Sequence, residues 1–326
     1  MLTSLGTSRI FSRKLKAYPI SEGGFMTDVK EKEIGLVDFD PKKDQVIDLW
    51  YQDAIEFGHG ISLRIKIKSV LYSARSQYQE ITIMETEKLG RMLVIDGITM
   101  LTEWDEYAYH EMISHVPLLV HPNPSTVLII GGGDGGTVRE VIKHPTVEMV
   151  HVCELDEEVV NACRKYLPSL ASSFDDPRVK IFYEDGAKFV AKHSEFYDII
   201  IVDSTDPLGP GQILFQEPFY ESMKKALTKE GIAVTQCESF FLHQHVIHGV
   251  FTFAQHLFPK LGYYNTLVPT YPSGVIGFFF CSLKRDPLGD IAEERVRALK
   301  GLKYYTPQVH RASFILPRFA AKLLKP

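Results

Sequence analysis

The sequence predicts an α/β fold: a mostly parallel sheet covered by helices on both faces, preceded by a small β-rich domain. Three observations carry this. Short, wholly apolar runs at residues 127–130 and 199–202 alternate with stretches of helical period, as in strands buried on both faces by crossover helices. A glycine-rich turn, Gly131-Gly132-Gly133-Asp134-Gly135-Gly136, joins the first run to a helical stretch. Upstream, Leu63, Ile65 and Ile67 alternate with polar residues, the period of a half-exposed strand.

The chain divides into three parts on this reading. Residues 1–44 form an extension expected to be poorly ordered. Its first 25 residues hold Arg9, Arg13, Lys14 and Lys16 against one acid, Glu22; this faintly resembles a transit peptide, but an unstructured tail is the simpler expectation. Residues 45–115 form the β-rich domain. Alternating residues 63–67 and 78–83 read as strands. The run 92–95 is closed by Asp96-Gly97, a turn pair that suits a hairpin. Residues 103–119 read as a helix, broken by His121-Pro122-Asn123-Pro124. Residues 116–326 form the catalytic domain. There the expected strands are 127–130, 150–154, 179–183, 197–202 and 232–236, with helices at 136–144 and 157–166. A late strand at 277–282 pairs with 263–268.

Composition narrows the function. The 326 residues are 45% hydrophobic and 24% charged, with a net charge of −5. That balance lacks the positive field of a nucleic-acid binder. No apolar run approaches the roughly 20 residues that span a bilayer. The four cysteines contain no CxxC pair, so free thiols in a reducing, cytoplasmic setting are expected.

The glycine turn lets a ligand approach the backbone. The next expected strand ends at Glu154, an acid placed to accept ribose hydroxyls. Asp134 lies inside the turn, where its carboxylate would repel a pyrophosphate but welcome a cationic centre. Asp185-Gly186 follows the third strand, where such a site recognises adenine. The residues therefore point to an S-adenosyl-type ligand in a Rossmann-like domain of the S-adenosylmethionine-methyltransferase type.

The strand at 197–202 ends in Asp203-Ser204-Thr205-Asp206-Pro207. Asp203 and Asp206 should face the crevice that holds Asp134. Three carboxylates there call for a cation. A metal would serve, though no histidine or cysteine accompanies them at ligand spacing; a polyamine would serve too. An alkylammonium, with a pKa of roughly 10, must lose a proton before it can attack carbon, and a carboxylate can take it. His243, His245 and His248 form an HxHxxH pattern that reads as a polar helix face rather than a metal site.

These residues, with Tyr78-Gln79-Glu80, Leu93-Val94-Ile95-Asp96-Gly97, Asp105-Glu106-Tyr107-Ala108-Tyr109-His110-Glu111-Met112, Pro269-Thr270-Tyr271-Pro272-Ser273-Gly274 and Lys303-Tyr304-Tyr305, resemble the polyamine aminopropyltransferases, the spermidine synthases in particular. The matches run in family order from about Trp50 onward. The resemblance implies transfer of an aminopropyl group from decarboxylated S-adenosylmethionine to putrescine. It implies Asp203 as proton acceptor. Gln79, His110, Asp134, Glu154, Asp185 and Gly186 would hold the donor, and Tyr109, Asp203, Asp206, Glu238 and Tyr271 the acceptor. It implies no cofactor, no metal, a gatekeeping loop at residues 204–216, and a homodimer or homotetramer. Relatives carry tryptophan shortly after the acid matching Glu238; Phe240-Phe241 stands there here, an expected aromatic wall. Putrescine N-methyltransferases resemble the same family, but negative charge at Asp134 and Asp203 disfavours the carboxylate of ordinary S-adenosylmethionine.

Overall fold

The structure, a computed structural model, describes residues 49–53, 60–207 and 209–325. The expected extension at residues 1–44 lies outside them.

Five antiparallel strands form the first sheet in sequence order: β1 (Leu49–Gln52), β2 (Arg64–Arg75), β3 (Glu80–Thr86), β4 (Arg91–Ile95) and β5 (Ile98–Thr102). The Asp96-Gly97 hairpin joins β4 to β5 with φ of 49° and 79°. Both angles are positive, as the twist-matching type I′ turn requires. Two register shifts, between Ile67 and Ser69 and between Val70 and Tyr72, bend β2 against β3. β1 and β5 are additions to the sequence reading: each is too short to show a period.

Helix α1 (Glu106–Val120) follows. It runs through the domain division expected at residues 115–116 and packs against the second sheet. It starts three residues later than expected. Asp105 spends its carboxylate elsewhere, accepting from Thr102 Oγ1 at 2.7 Å and from Thr270 N and Oγ1 at 2.8 and 2.9 Å. Nearly every α1 residue is buried, so the helix shows little amphipathic contrast in sequence.

The second sheet comprises β6 (Thr126–Gly131), β7 (Met149–Glu154), β8 (Val179–Tyr183), β9 (Tyr197–Asp203), β10 (Leu227–Gln236), β11 (Lys260–Leu267) and β12 (Val275–Ser282). Between them run α2 (Gly136–Val141), α3 (Glu157–Tyr166), α4 (Pro168–Ala171), α5 (Gly186–Ala191), α6 (Glu217–Ala226) and α7 (Gln244–Leu257). Two short α-helices follow the sheet, α8 (Glu293–Val296) and α9 (Pro307–Ser313). The strand order is β11-β12-β10-β9-β6-β7-β8. The pairs among β8, β7, β6, β9 and β10 are parallel, and β12 is antiparallel to both neighbours. This is the Rossmann-like sheet the sequence predicts.

Alternate residues of the strands feed two cores, one on each face. Val127, Ile129, Ile199 and Ile201 pack with α1. Leu128, Ile130, Ile200 and Val202 pack with α6 and α7. Each buried apolar side chain contributes roughly 1.5–3 kcal/mol. β10 begins at Leu227, earlier than expected, because a bulge between Leu227 and Ile232 interrupts its pairing with β9.

The chain builds β6, moves outward through β7 and β8, then returns to place β9 on β6's other side. That reversal opens a crevice at the carboxyl ends of β6 and β9.

Candidate active site

The crevice deepens into a cavity of about 560 Å³, within the range of small-molecule sites. Its floor is the glycine turn. Gly131 pairs with Asp203 in the β6–β9 ladder, and Gly132 N donates to Asp203 O at 2.9 Å. Gly131 has φ 81°, and a Cβ there would press into that same carbonyl. Gly136 lies flat against the His110 ring, leaving no room for a side chain.

Every site residue named from the sequence lines this cavity: Gln79, Tyr109, His110, Asp134, Glu154, Asp185, Gly186, Asp203, Asp206, Glu238 and Tyr271. So do residues of the expected gatekeeping segment, including Ser204, Gly211, Ile213 and Gln216.

Asp203 ends β9. Its Oδ1 accepts from Tyr109 Oη at 2.8 Å and its Oδ2 from Thr137 Oγ1 at 2.6 Å. Burial, then the nearby charge of Asp134, raises its pKa. A carboxylate raised in this way is a better proton acceptor than one in water. Asp134 is shifted the other way. Burial opposes ionisation, but His110 and the Gly136 N–H hold its pKa low. Both contacts fall on Oδ1, from Gly136 N at 2.6 Å and His110 Nε2 at 3.3 Å. Oδ2 is therefore the oxygen left for a ligand.

No histidine stands at ligand spacing beside these acids in the sequence, yet His110, which the resemblance to relatives named, joins them in space. It sits far away along the chain, on α1, yet one atom each of His110, Asp134 and Asp203 lie within 4.8 Å of one another. Its Nδ1 lies 2.7 Å from Glu106 Oε2. Burial would lower its pKa, but Asp134 and Glu106 push it up to about 10. A ring protonated in this way donates from both nitrogens, one to each carboxylate.

At the end of the cavity expected to take the donor, Glu154 closes β7. Burial pushes its pKa up to about 7, and its Oε1 accepts from Asp156 N at 3.0 Å. Gln79 Nε2 donates to Asp156 Oδ2 at 3.0 Å. Asp185 caps α5, accepting from Ala187 N and Lys188 N.

At the opposite end, burial and the charge of Glu238 push Asp206 well above the ordinary range. Asp206 Oδ1 accepts from Gln236 Nε2 at 3.3 Å. Gln236 and Glu238 are both buried beside it, and a hydrogen bond between the Asp206 and Glu238 carboxyls adds to the upward shift. Glu238 stands at φ 61°, held by Tyr263 Oη on its carbonyl at 2.7 Å. Tyr271 Oη donates to Met100 O at 2.7 Å, and its ring lies 6.4 Å from that of Tyr109.

Two expectations change. Phe240 and Phe241 form no wall of the cavity; they pack with Phe319 away from it. The turn after Glu238 buries Phe240 in the core beside α6 and α7 and leaves Phe241 exposed, and His243 reaches in instead. His243 Nδ1 lies 2.7 Å from Glu238 Oε2, and the residue lines the cavity, so it is not merely part of a polar helix face. His248 does face outward, near Leu323 O. Sequence reasoning also missed Thr137, Glu106, Arg139 and Gln236. Thr137 directly follows the glycine turn and Glu106 stands one helical turn before His110, so spacing offered a signal for both.

Two family models match the chain: the spermidine synthase tetramerisation domain over residues 49–103 and the spermine/spermidine synthase domain over residues 106–288. The chain is 48% identical over 279 residues to the polyamine aminopropyltransferase of Leptospira biflexa, covering 86% of this chain and 99% of that protein. It is 44% identical over 281 residues to the spermidine synthase of Dictyostelium discoideum, with the same coverage. A crystal structure of spermidine synthase in complex with the transition state analogue AdoDATO superposes with a TM-score of 0.82 at 45% identity, covering 85% of this chain and 94% of that one. The order of strands, the glycine turn and the carboxylates at its mouth all fall inside these matches, and the chain belongs to the spermine/spermidine synthase family of polyamine aminopropyltransferases.

Proposed function

We propose that the protein moves the aminopropyl group of decarboxylated S-adenosylmethionine onto putrescine, giving spermidine and methylthioadenosine. The observation that carries this reading is Asp203: a partly buried carboxylate at the β6–β9 reversal, with raised pKa, in one cavity with Asp134 and Glu154. The names of the relatives support it.

The attacking ammonium of putrescine gives a proton to Asp203. Its nitrogen lone pair then displaces sulfur from the methylene carbon. A C–N bond forms, the C–S bond breaks, and the bonding pair returns to sulfur, which loses its positive charge. The two substrates balance this reaction without a metal or prosthetic group. Asp134 Oδ2 would hold the donor's ammonium and Glu154 its ribose, with Gln79, His110, Asp185 and Gly186 completing the donor site. Asp206 and Glu238 would take the far ammonium, whose charge relieves two crowded carboxyls. Tyr109 and Tyr271 would flank the methylenes between. The match at residues 49–103 supports a homodimer or homotetramer, and four free, buried cysteines fit the reducing cytoplasm. No helix among the described residues is long and apolar enough to cross a membrane.

The test is a product assay with putrescine and either decarboxylated or ordinary S-adenosylmethionine. Spermidine and methylthioadenosine are expected from the first alone. Methylputrescine from the second would overturn the reading. Asp203→Asn should lower kcat by about 10²–10⁴, the usual contribution of a general base, while the protein still binds methylthioadenosine.

A further inference from the structure

The charges that surround His110 extend beyond the cavity. From its own helix, Glu106 Oε2 meets Nδ1 at 2.7 Å; from the glycine turn, Asp134 Oδ1 meets Nε2 at 3.3 Å. Asp203, at the end of β9, lies close by, with Tyr109 bonded to it. From α2, Arg139 grips Glu106 with two parallel bonds, Nη1 to Oε1 at 2.9 Å and Nη2 to Oε2 at 2.8 Å. Arg139 Nε turns to Glu140 Oε1 at 2.8 Å. Glu140 in turn takes Lys143 at 2.6 Å and His115 at 3.0 Å. Signs alternate outward from the site: Asp134, His110, Glu106, Arg139, Glu140, Lys143.

A forked guanidinium fixes a carboxylate in position as well as in charge. Glu106 is 5% exposed on its side chain and His110 3%, so neither can exchange its partner for water. The ring is further pinned against the Gly136 backbone.

We infer that Glu106, oriented by Arg139, is a positioning residue of the reaction: it locks His110 as a fixed imidazolium beside Asp134 and Asp203, and His110 acts as a constant positive charge that neither gives nor takes a proton. The inference rests on the reading of this cavity as the donor site. Without that charge, Asp134 and Asp203 are two neighbouring, partly buried carboxylates, and their repulsion favours proton uptake by one of them. A protonated Asp134 no longer holds an ammonium; a protonated Asp203 no longer accepts from one. His110 keeps both ionised.

The first measurement is the ring titration of His110 in the ligand-free wild type, by NMR with labelled histidine, its signal identified by its loss in His110→Gln. The ring should stay protonated from about pH 6 to about pH 9, well past the usual histidine midpoint. The second is Glu106→Gln. It removes the charge while keeping the shape, and it leaves Arg139 as an added repulsion. The His110 midpoint should fall into that interval. The donor KM should then rise with pH through the same midpoint, about tenfold for each unit of pH above it, and acid should restore it. A merely structural Glu106 would change KM or kcat by one factor at every pH. That outcome overturns the inference, as does a wild-type ring that titrates within the interval. If Glu106→Gln does not fold, the wild-type titration still decides. Failure of the wild type to make spermidine would instead overturn the proposed function, and the ring titration is read without substrate.

Discussion

Asp203 accepts hydrogen bonds from two hydroxyls, and this sets how it should respond to substitution. The Tyr109 bond lowers a pKa that burial and Asp134 raise. Removing it in Tyr109→Phe should raise Asp203 further. The group works ionised, so the acid limb of kcat/KM should move to higher pH. One charge-assisted bond corresponds to about one pH unit. An acid limb that stays in place would separate Tyr109 from the proton acceptor. At this scale the acids were readable from sequence, because a carboxylate just beyond a buried strand can face only the crevice. His110 and His243 were not readable in this way. Each gains its meaning from partners on other elements, and only the likeness to relatives pointed to His110.

Single residues also join elements to one another, and Asp156 does so at the proposed donor end. Its Oδ1 caps α3 by accepting from Glu158 N at 3.1 Å. Its Oδ2 receives Ser76 Oγ at 2.6 Å and Gln79 Nε2 at 3.0 Å from the β2–β3 turn. Tyr72 of β2 adds a hydrogen bond to Glu158. Asp156→Ala should therefore act twice. Loss of the cap should cost about 1 kcal/mol, seen as a lower urea midpoint. Release of Gln79 should raise the donor KM while leaving the acceptor KM near its original value. A stability loss with unchanged donor KM would reduce Asp156 to a helix cap. Neither the cap nor the tie to the first sheet was read from the sequence; nothing in it gives the distance between residues 76 and 156.

Across the whole molecule, buried histidines contribute to the pH dependence of stability in both directions. His144 is buried neutral: burial and its neighbour His115 bring its pKa down to about 2. The unfolded chain takes up that proton below about 6.5, so stability is lost as pH falls from there. His310, brought down to about 4 mainly by burial, acts in the same direction. His110 acts in the opposite one. Its folded pKa of about 10 gives stability that is complete below the unfolded value and is lost as pH rises toward 10. Urea midpoints should thus peak between these limits and fall on both sides. His144→Gln should flatten the acid slope, and Glu106→Gln the alkaline one. A profile flat from about pH 5 to 10 would contradict both assignments.

The sequence by itself determined the sheet, the glycine turn and the acids at its mouth. Strands buried on both faces, such as Ile199 to Val202, must be continuously apolar, and Gly131 sits where no other residue can follow the chain. It also determined the Asp96-Gly97 hairpin, whose φ angles few other pairs accept. The tertiary structure decided what depends on distance between elements. It set His110 against Asp134 and fixed Glu106 to Arg139. It turned Phe240 and Phe241 away while bringing His243 to Glu238. Short-range pattern records how a residue is buried and how the backbone turns; which charges neutralise one another is settled only when the helices pack on the sheet and water is excluded between them.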